Sequence, residues 1–177
     1  VPTVKPHMGA VATQASTDPR LGPLGLSLLE LAYPVQRVMA ELETSDSYIE
    51  RRQLGVVDRW GQVAVRAGSE NRDWAGHLTG DGFVTMGNYL LGAHELKAMA
   101  AAMEESADEE LQHRLLLGIE AGTAAGGQHG GQRSAAILVY ETEVFPLVSL
   151  RVDDHQEPVG ELRRIFDKFI PLLPYYR

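Results

Sequence analysis

The hydrophobic pattern of the first half of the chain alternates between strand-like and helical stretches. Residues 9–15 (GAVATQA) are small or β-branched and predict a strand. After a turn rich in Asp, Pro and Gly, apolar residues at helical spacing predict one helix from Leu24 and a second one after Pro34. Two hairpins should follow, at 53–68 and at 75–88, because each range holds alternating apolar residues around a turn signal.

The second half continues with two helices, marked by apolar residues from Leu96 to Met103 and from Leu111 to Ile119. A glycine-rich stretch, GTAAGGQHGGQRS, precedes two further strands, AAILVYE and LVSLRVD, and a last helix to Phe169. This order predicts an α+β fold of mainly antiparallel sheets covered by helices. We see no repeat or linker, so the 177 residues should form a single domain.

Composition narrows the possible partners. A hydrophobic content of 44% fits a soluble globular protein, and no apolar run approaches the ~20 residues that span a bilayer. The net charge of −8 argues against nucleic acid and anionic membranes as partners. The absence of cysteine excludes disulfides and thiolate chemistry. We therefore expect a cytoplasmic protein that acts on a small-molecule substrate.

The glycine-rich stretch invites comparison with a phosphate-binding loop, but the lysine is absent and the element order is helix, loop, strand. Its glycines would instead let a ligand approach the backbone closely, with Arg133 available to bind a carboxylate. Ser134 stands where this loop becomes a strand. Composition alone favours the alternative, a surface loop with a solvated arginine.

The segment RVDDHQEP, residues 151–158, places Asp153, Asp154 and His155 between a strand and a helix. These side chains could bind a metal or transfer protons, although neighbouring strand residues point to opposite faces. They could also cap the helix, since Pro158 suits a first turn whose free N–H groups attract carboxylates. Residues alone leave both interpretations open. No pair of histidines has the spacing of a zinc motif.

Asn88 also stands at a strand-to-helix junction, where its amide could donate to a developing oxyanion or cap the helix. Hydroxyl groups occur near a strand end at Thr13, Ser16 and Thr17. No G-x-S-x-G elbow is present, so the sequence does not indicate a serine hydrolase of the α/β type.

The sequence closely resembles a bacterial family catalogued as a domain of unknown function in six blocks, GAVATQASTDPRLGPLGLSLL, RRQLGVVDRWGQVA, WAGHLTG, GNYLLG, EAGTAAGGQHGGQRSAAILV and LRVDDHQEPVGELRRIFD. That family is grouped with the N-terminal nucleophile (Ntn) hydrolases, and the resemblance runs from about Val1 to Phe169. It implies a four-layer αββα sandwich and cleavage of an amide by an N-terminal Thr, Ser or Cys whose own amino group is the base. Position 1 here is valine, so that chemistry would need a nucleophile outside this chain.

The resemblance also suggests a common site, because the candidate polar residues fall in the shared blocks. We expect strand ends to bring them together. Asn88 would stabilise an oxyanion, and Asp153 with His155 would orient or relay protons. Substrate binding would fall to the remaining four residues, Gln14, Arg133, Ser134 and Asp154.

Three functions follow, in descending order of support. The first is an Ntn-type amidohydrolase, without metal or cofactor, acting on a small amide or an acylated amino acid. The second is a non-catalytic binding or assembly module on the same fold. The third is a metal-dependent hydrolase using Asp153, Asp154 and His155. If opening strands are missing, residues 9–14 would form an exposed sheet edge, which predicts a homo-oligomer or a companion N-terminal segment.

Overall fold

A computed structural model describes residues 1–176 of the chain. The described part contains five α-helices, eight strands and two 3₁₀ segments, Ile49–Arg51 and Ile170–Tyr175. The strands are β1 Pro2–Lys5, β2 Gly9–Ala15, β3 Arg52–Asp58, β4 Val63–Ala67, β5 Gly76–Gly80, β6 Phe83–Gly87, β7 Ala135–Val139 and β8 Val148–Val152. The helices are α1 Leu21–Glu30, α2 Val35–Ser45, α3 His94–Glu105, α4 Leu111–Ala124 and α5 Pro158–Phe169.

All strand pairing is antiparallel. Strands β1 to β4 form one sheet in sequence order, while β5–β6 and β7–β8 are separate two-stranded hairpins. In the large sheet Val11 pairs with Val56 and Gln14 with Gln53. The predicted mixture of helices and mainly antiparallel sheets is therefore confirmed.

The two faces of the large sheet have different neighbours, because successive strand residues point to opposite sides. On one face Val11, Leu54 and Val56 are fully buried in a core shared with α1 and α2. On the other face Gly55 lies close to β6, since a Cβ at this position would be 3.2 Å from the Sδ of Met86. The β5–β6 hairpin thus packs opposite the helices, and the side chain of Gln53, near the start of β3, points towards it.

A second core joins the β7–β8 hairpin to the C-terminal helices. Its buried residues are Leu116, Ile137, Val139, Val148, Val152, Leu162, Phe166 and Leu173. Helix α5 contributes the stripe of apolar residues that its spacing predicted. No helix within residues 1–176 is long and apolar enough to cross a membrane.

The prediction of an exposed sheet edge at residues 9–14 is wrong. Strand β2 pairs on one side with β3 and on the other with β1, from Pro2↔Ala12 to Lys5↔Gly9. Strand β1 was not predicted, because four residues that include a proline give a weak strand signal. Because β2 is paired on both sides, its edges give no reason to expect an oligomer.

Candidate functional site

A cleft of about 470 Å³ opens where several polar segments meet at the end of β2. Its walls come from the turn after β2, the 3₁₀ segment before β3, the β4–β5 connection, the residues after β6 and the glycine-rich loop. This cavity is called the cleft below, and it is lined by Ala15, Ser16, Arg51, Glu70, Asn71, Arg72, Asn88, Tyr89 and Gln128.

Behind the cleft a fully buried amide, Gln53, fixes the orientation of two other amides. Its Nε2 donates to the carbonyls of Gly76 and Gly87, at 2.9 and 3.0 Å. Because carbonyl oxygens only accept hydrogen bonds, the NH₂ group of Gln53 must face them. Its Oε1 therefore faces the other way and accepts hydrogen bonds. It receives the Nε2 of Gln14 at 2.7 Å and the Nδ2 of Asn88 at 3.3 Å.

This network assigns different roles to Gln14 and Asn88. The Nε2 of Gln14 also donates to the Met86 carbonyl at 3.3 Å, so both of its N–H groups are used, and the side chain does not line the cleft. Asn88 gives one N–H to Gln53 and keeps its second N–H and its Oδ1 for the cleft that it lines. Asn88 can therefore contact a ligand, while Gln14 positions the wall.

Two non-glycine residues of the cleft adopt left-handed backbone conformations, Ala15 at φ 66° and Tyr89 at φ 59°. Such a conformation costs about 1–2 kcal/mol and needs support from its surroundings. The N–H of Tyr89 donates to the Arg72 carbonyl at 3.0 Å, and its own carbonyl accepts the N–H of His129 at 3.0 Å. Strain held in place in this way is typical of functional sites.

A buried ion pair supports the turn that follows Ala15. The Nε of Arg52 lies 2.8 Å from the Oδ2 of Asp46, with side-chain exposures of 11% and 7%. Arg52 also donates to the carbonyl of Ser16. The hydrogen bond from Arg52 holds the pKa of the Asp46 carboxyl below its usual range. Asp46 and Arg52 thus position Ser16 from behind.

Glu50 fixes the start of the β4–β5 connection. Its carboxylate accepts the N–H and the hydroxyl of Ser69, each at 2.8 Å, and the Nη2 of Arg66 at 2.8 Å. These hydrogen bonds lower the pKa of Glu50 to about 2, and the backbone N–H of Ser69 makes the largest contribution. The three residues after Ser69 all line the cleft, so Glu50 places them.

The charges in the cleft are not balanced. Arg51 pairs with Glu70, Nε to Oε2, at 2.8 Å. Arg72 lies with its guanidinium carbon 5.5 Å from the centre of the Tyr89 ring. Within residues 1–176 Arg72 has no carboxylate partner. The cleft therefore carries one unmatched positive charge.

The other predicted site residues lie at an exposed corner away from the cleft lining. Arg133 pairs with Asp154, its Nε 2.8 Å from Oδ1, and Asp153 pairs with Arg151 at 2.9 Å. His155 donates its backbone N–H to the Arg133 carbonyl at 2.9 Å. Ser134 is exposed beside this corner.

The aspartates do not cap α5, which corrects one interpretation of this corner. The N-cap Glu157 makes no side-chain cap bond, and both aspartates bind arginine instead. It is His155 that accepts the Glu157 N–H, through Nδ1 at 3.0 Å. Among residues 1–176 no three His, Asp or Glu side chains are grouped to hold a metal ion. The metal-dependent alternative has no cluster of ligands in this part of the chain.

The glycine-rich loop connects the exposed corner with the cleft. Gln128 lines the cleft and bridges to Leu90, and the His129 ring lies 5.1 Å from the ring of Tyr89. Arg133, five residues after Gln128, lies at the exposed corner. The structure therefore brings Gln14 and Asn88 together through Gln53, and it separates them from Arg133, Ser134, Asp153, Asp154 and His155.

Most of the residues that form the cleft were not predicted from the sequence. A buried polar residue in an apolar strand is the signal that Gln53 offered. The run Glu70-Asn71-Arg72 offered none, because polar runs between hairpins are usual in surface loops. Ser16 does line the cleft, but within the described residues its hydroxyl has no hydrogen-bond partner that could act as a base.

Comparison with known proteins finds similarity to one family. A family model described as "Family of unknown function (DUF1028)" matches residues 1–162. The crystal structure of protein SPO2555 from Silicibacter pomeroyi, assigned to the same family model, is similar to the chain with a TM-score of 0.87 and 31% sequence identity. The match covers 96% of this chain and 73% of that one. No curated protein matches the sequence significantly.

Proposed function

Because the chain belongs to the DUF1028 family, whose function is unknown, we propose a function from its cleft: an Ntn-type amidohydrolase that binds and cleaves a small amide. The observation that carries the proposal is the orientation of Asn88. Two backbone carbonyls orient Gln53, Gln53 orients Asn88, and one N–H of Asn88 is left to face the cleft.

Amide hydrolysis needs such a donor. When a nucleophile attacks the carbonyl carbon, negative charge develops on the oxygen, and a donor that is already oriented stabilises it without reorganisation. Asn88 is half-buried and held through Gln53, which has no exposed surface. The Asn88 amide would therefore stabilise the oxyanion better than a freely rotating side chain.

The nucleophile in this proposal comes from outside residues 1–177, as a Thr, Ser or Cys with a free α-amino group. A segment of the protein beyond these residues, or a companion chain, would supply it. The four-layer αββα arrangement that this chemistry uses is part of the proposal. Its support is that α1 and α2 pack on one face of the large sheet, and the β5–β6 hairpin on the other.

The proposal is tested by hydrolysis of a panel of small amides and acylated amino acids with the protein as it occurs in the cell. Loss of an oxyanion donor costs about 10²–10³ in kcat, so Asn88→Ala should lower kcat by that factor with little change in KM. The control is Gln62→Ala, an exposed residue of the β3–β4 turn. Unchanged kcat in Asn88→Ala would remove the basis of the proposal.

The alternative from another functional class is a binding module without catalysis. One observation favours it: no histidine, lysine or cysteine lines the cleft, and the Ser16 hydroxyl has no base among the described residues. N-terminal sequencing with intact mass of the native protein separates the two functions. A free Thr, Ser or Cys terminus on the chain or on a companion supports the enzyme, and its absence together with tight ligand binding supports the module.

A further inference from the structure

We propose that the cleft selects ligands that carry a carboxylate and that Arg72 is the residue that binds it. This inference rests on the proposed function and narrows its substrate from small amides in general to N-acylated amino acids. The sequence had suggested Arg133 for this role. Arg133 does not line the cleft, and it lies at the exposed corner, where it pairs with Asp154.

The charges of the cleft lining are not balanced. The lining contains two arginines and one carboxylate, and the carboxylate of Glu70 is bound by Arg51. Arg72 is left without an anionic partner among the described residues, in a protein whose net charge is −8. An unmatched guanidinium in a concave site favours an anionic ligand.

The backbone of Arg72 is held in place, and its guanidinium rests on an aromatic ring. Its carbonyl accepts the N–H of Tyr89 at 3.0 Å, and Trp74 and Leu90 exchange backbone hydrogen bonds of 3.2 and 3.0 Å just beyond. The guanidinium lies over the ring of Tyr89, which in turn contacts the ring of His129. A side chain that is ordered before binding loses less entropy when the ligand arrives.

The geometry of the guanidinium group favours a carboxylate as the group that it binds. A planar guanidinium donates two parallel N–H bonds to a carboxylate, which matches the geometry of that group better than that of a neutral amide. An N-acylated amino acid carries both required groups. Its acyl oxygen would face the N–H of Asn88, and its carboxylate would face Arg72.

The experiment compares two probes that differ only in their terminal group, N-acetylglycine with a carboxylate and N-acetylglycinamide with a neutral amide, by calorimetric titration. The wild-type protein should bind the acid at least about tenfold more tightly than the amide. Arg72→Gln should abolish this preference. The control Arg59→Gln should keep it, because Arg59 also stacks on an aromatic ring, that of Trp60 at 4.5 Å, but lines a different cavity.

Each outcome decides the inference. Equal affinity of the wild-type protein for both probes overturns it, and so does a preference for the acid that survives in Arg72→Gln. Binding of neither probe overturns it as well. The proposed function is judged separately, by the effect of Asn88→Ala on amide hydrolysis, so its failure is distinguishable.

Discussion

Gln53 shows how one buried residue can determine the chemistry of a surface. Its amide joins β3 to carbonyls of β5 and β6 and to the side chains of Gln14 and Asn88. A buried polar group of this kind is favourable only when all of its hydrogen bonds are made. Gln53 therefore contributes both to stability and to the orientation of the cleft.

Replacing Gln53 with leucine should destabilise the protein. The substitution keeps the approximate size but leaves the carbonyls of Gly76 and Gly87 without their donor, which costs about 1–3 kcal/mol for each buried group left unpaired. Urea unfolding followed by circular dichroism measures the effect. The control Gln62→Leu, on the exposed turn of the same hairpin, should change the free energy of unfolding by less than about 0.5 kcal/mol. Equal effects of the two substitutions would show that the network adds no stability.

The candidate residues could be predicted from the sequence only in part. Asn88 was recognised because it stands at the junction of two elements, and it does line the cleft. Arg72 was missed, because its role depends on Tyr89 and on the pairing of Arg51 with Glu70, and these contacts form only after folding. The left-handed conformation of Tyr89 was not predicted from the sequence, because the hydrogen bonds that support it join Tyr89 to the distant residues Arg72 and His129.

At the scale of elements, periodicity predicted most helices and strands because each has an apolar face that a core covers. Helix α5 and strands β2 and β3 lie where their patterns placed them. The short strand β1 was missed, and with it the fact that β2 is internal. The hydrophobic pattern also could not predict which hairpin packs on the large sheet, because the close contact between Gly55 and β6 joins residues far apart in the sequence.

The glycine-rich loop is the element that links the two groups of predicted residues. At one end the N–H of His129 donates to the Tyr89 carbonyl, beside the cleft. At the other end Arg133 is bound through its carbonyl to His155 and through its side chain to Asp154. The exposed corner therefore holds the loop that carries Gln128 into the cleft.

Removing the charge of Asp154 should loosen this loop. In Asp154→Asn, amide hydrogens of residues 126–133 should exchange about two- to fivefold faster, a small factor because exposed ion pairs are weak. Hydrogen exchange read by mass spectrometry measures this.

A matched control lies next to it, since Asp153 has similar exposure but pairs with Arg151 of β8 and not with the loop. Asp153→Asn should leave the exchange of the loop unchanged. Equal acceleration in both variants would assign the effect to the corner as a whole rather than to the bond between Asp154 and Arg133.

At the scale of the whole molecule, two hydrophobic cores stabilise the fold around the cleft. One core lies between α1, α2 and the large sheet, and the other between the β7–β8 hairpin and the C-terminal helices. Other cavities are present, including one of about 330 Å³ beside Tyr33 and Trp60. What sets the cleft apart is its combination of an oriented amide, an unmatched arginine and strained backbone.

The central claim is that this cleft is where the protein binds its ligand, and chemical-shift mapping tests it most directly. N-acetylglycine would be titrated into the ¹⁵N-labelled protein, of 19.4 kDa. The account predicts that shifts concentrate on the backbone of Ser16, Arg72 and Gln128 and on the side-chain amide of Asn88. Shifts confined to the cavity beside Tyr33 and Trp60, with none in the cleft, would contradict it.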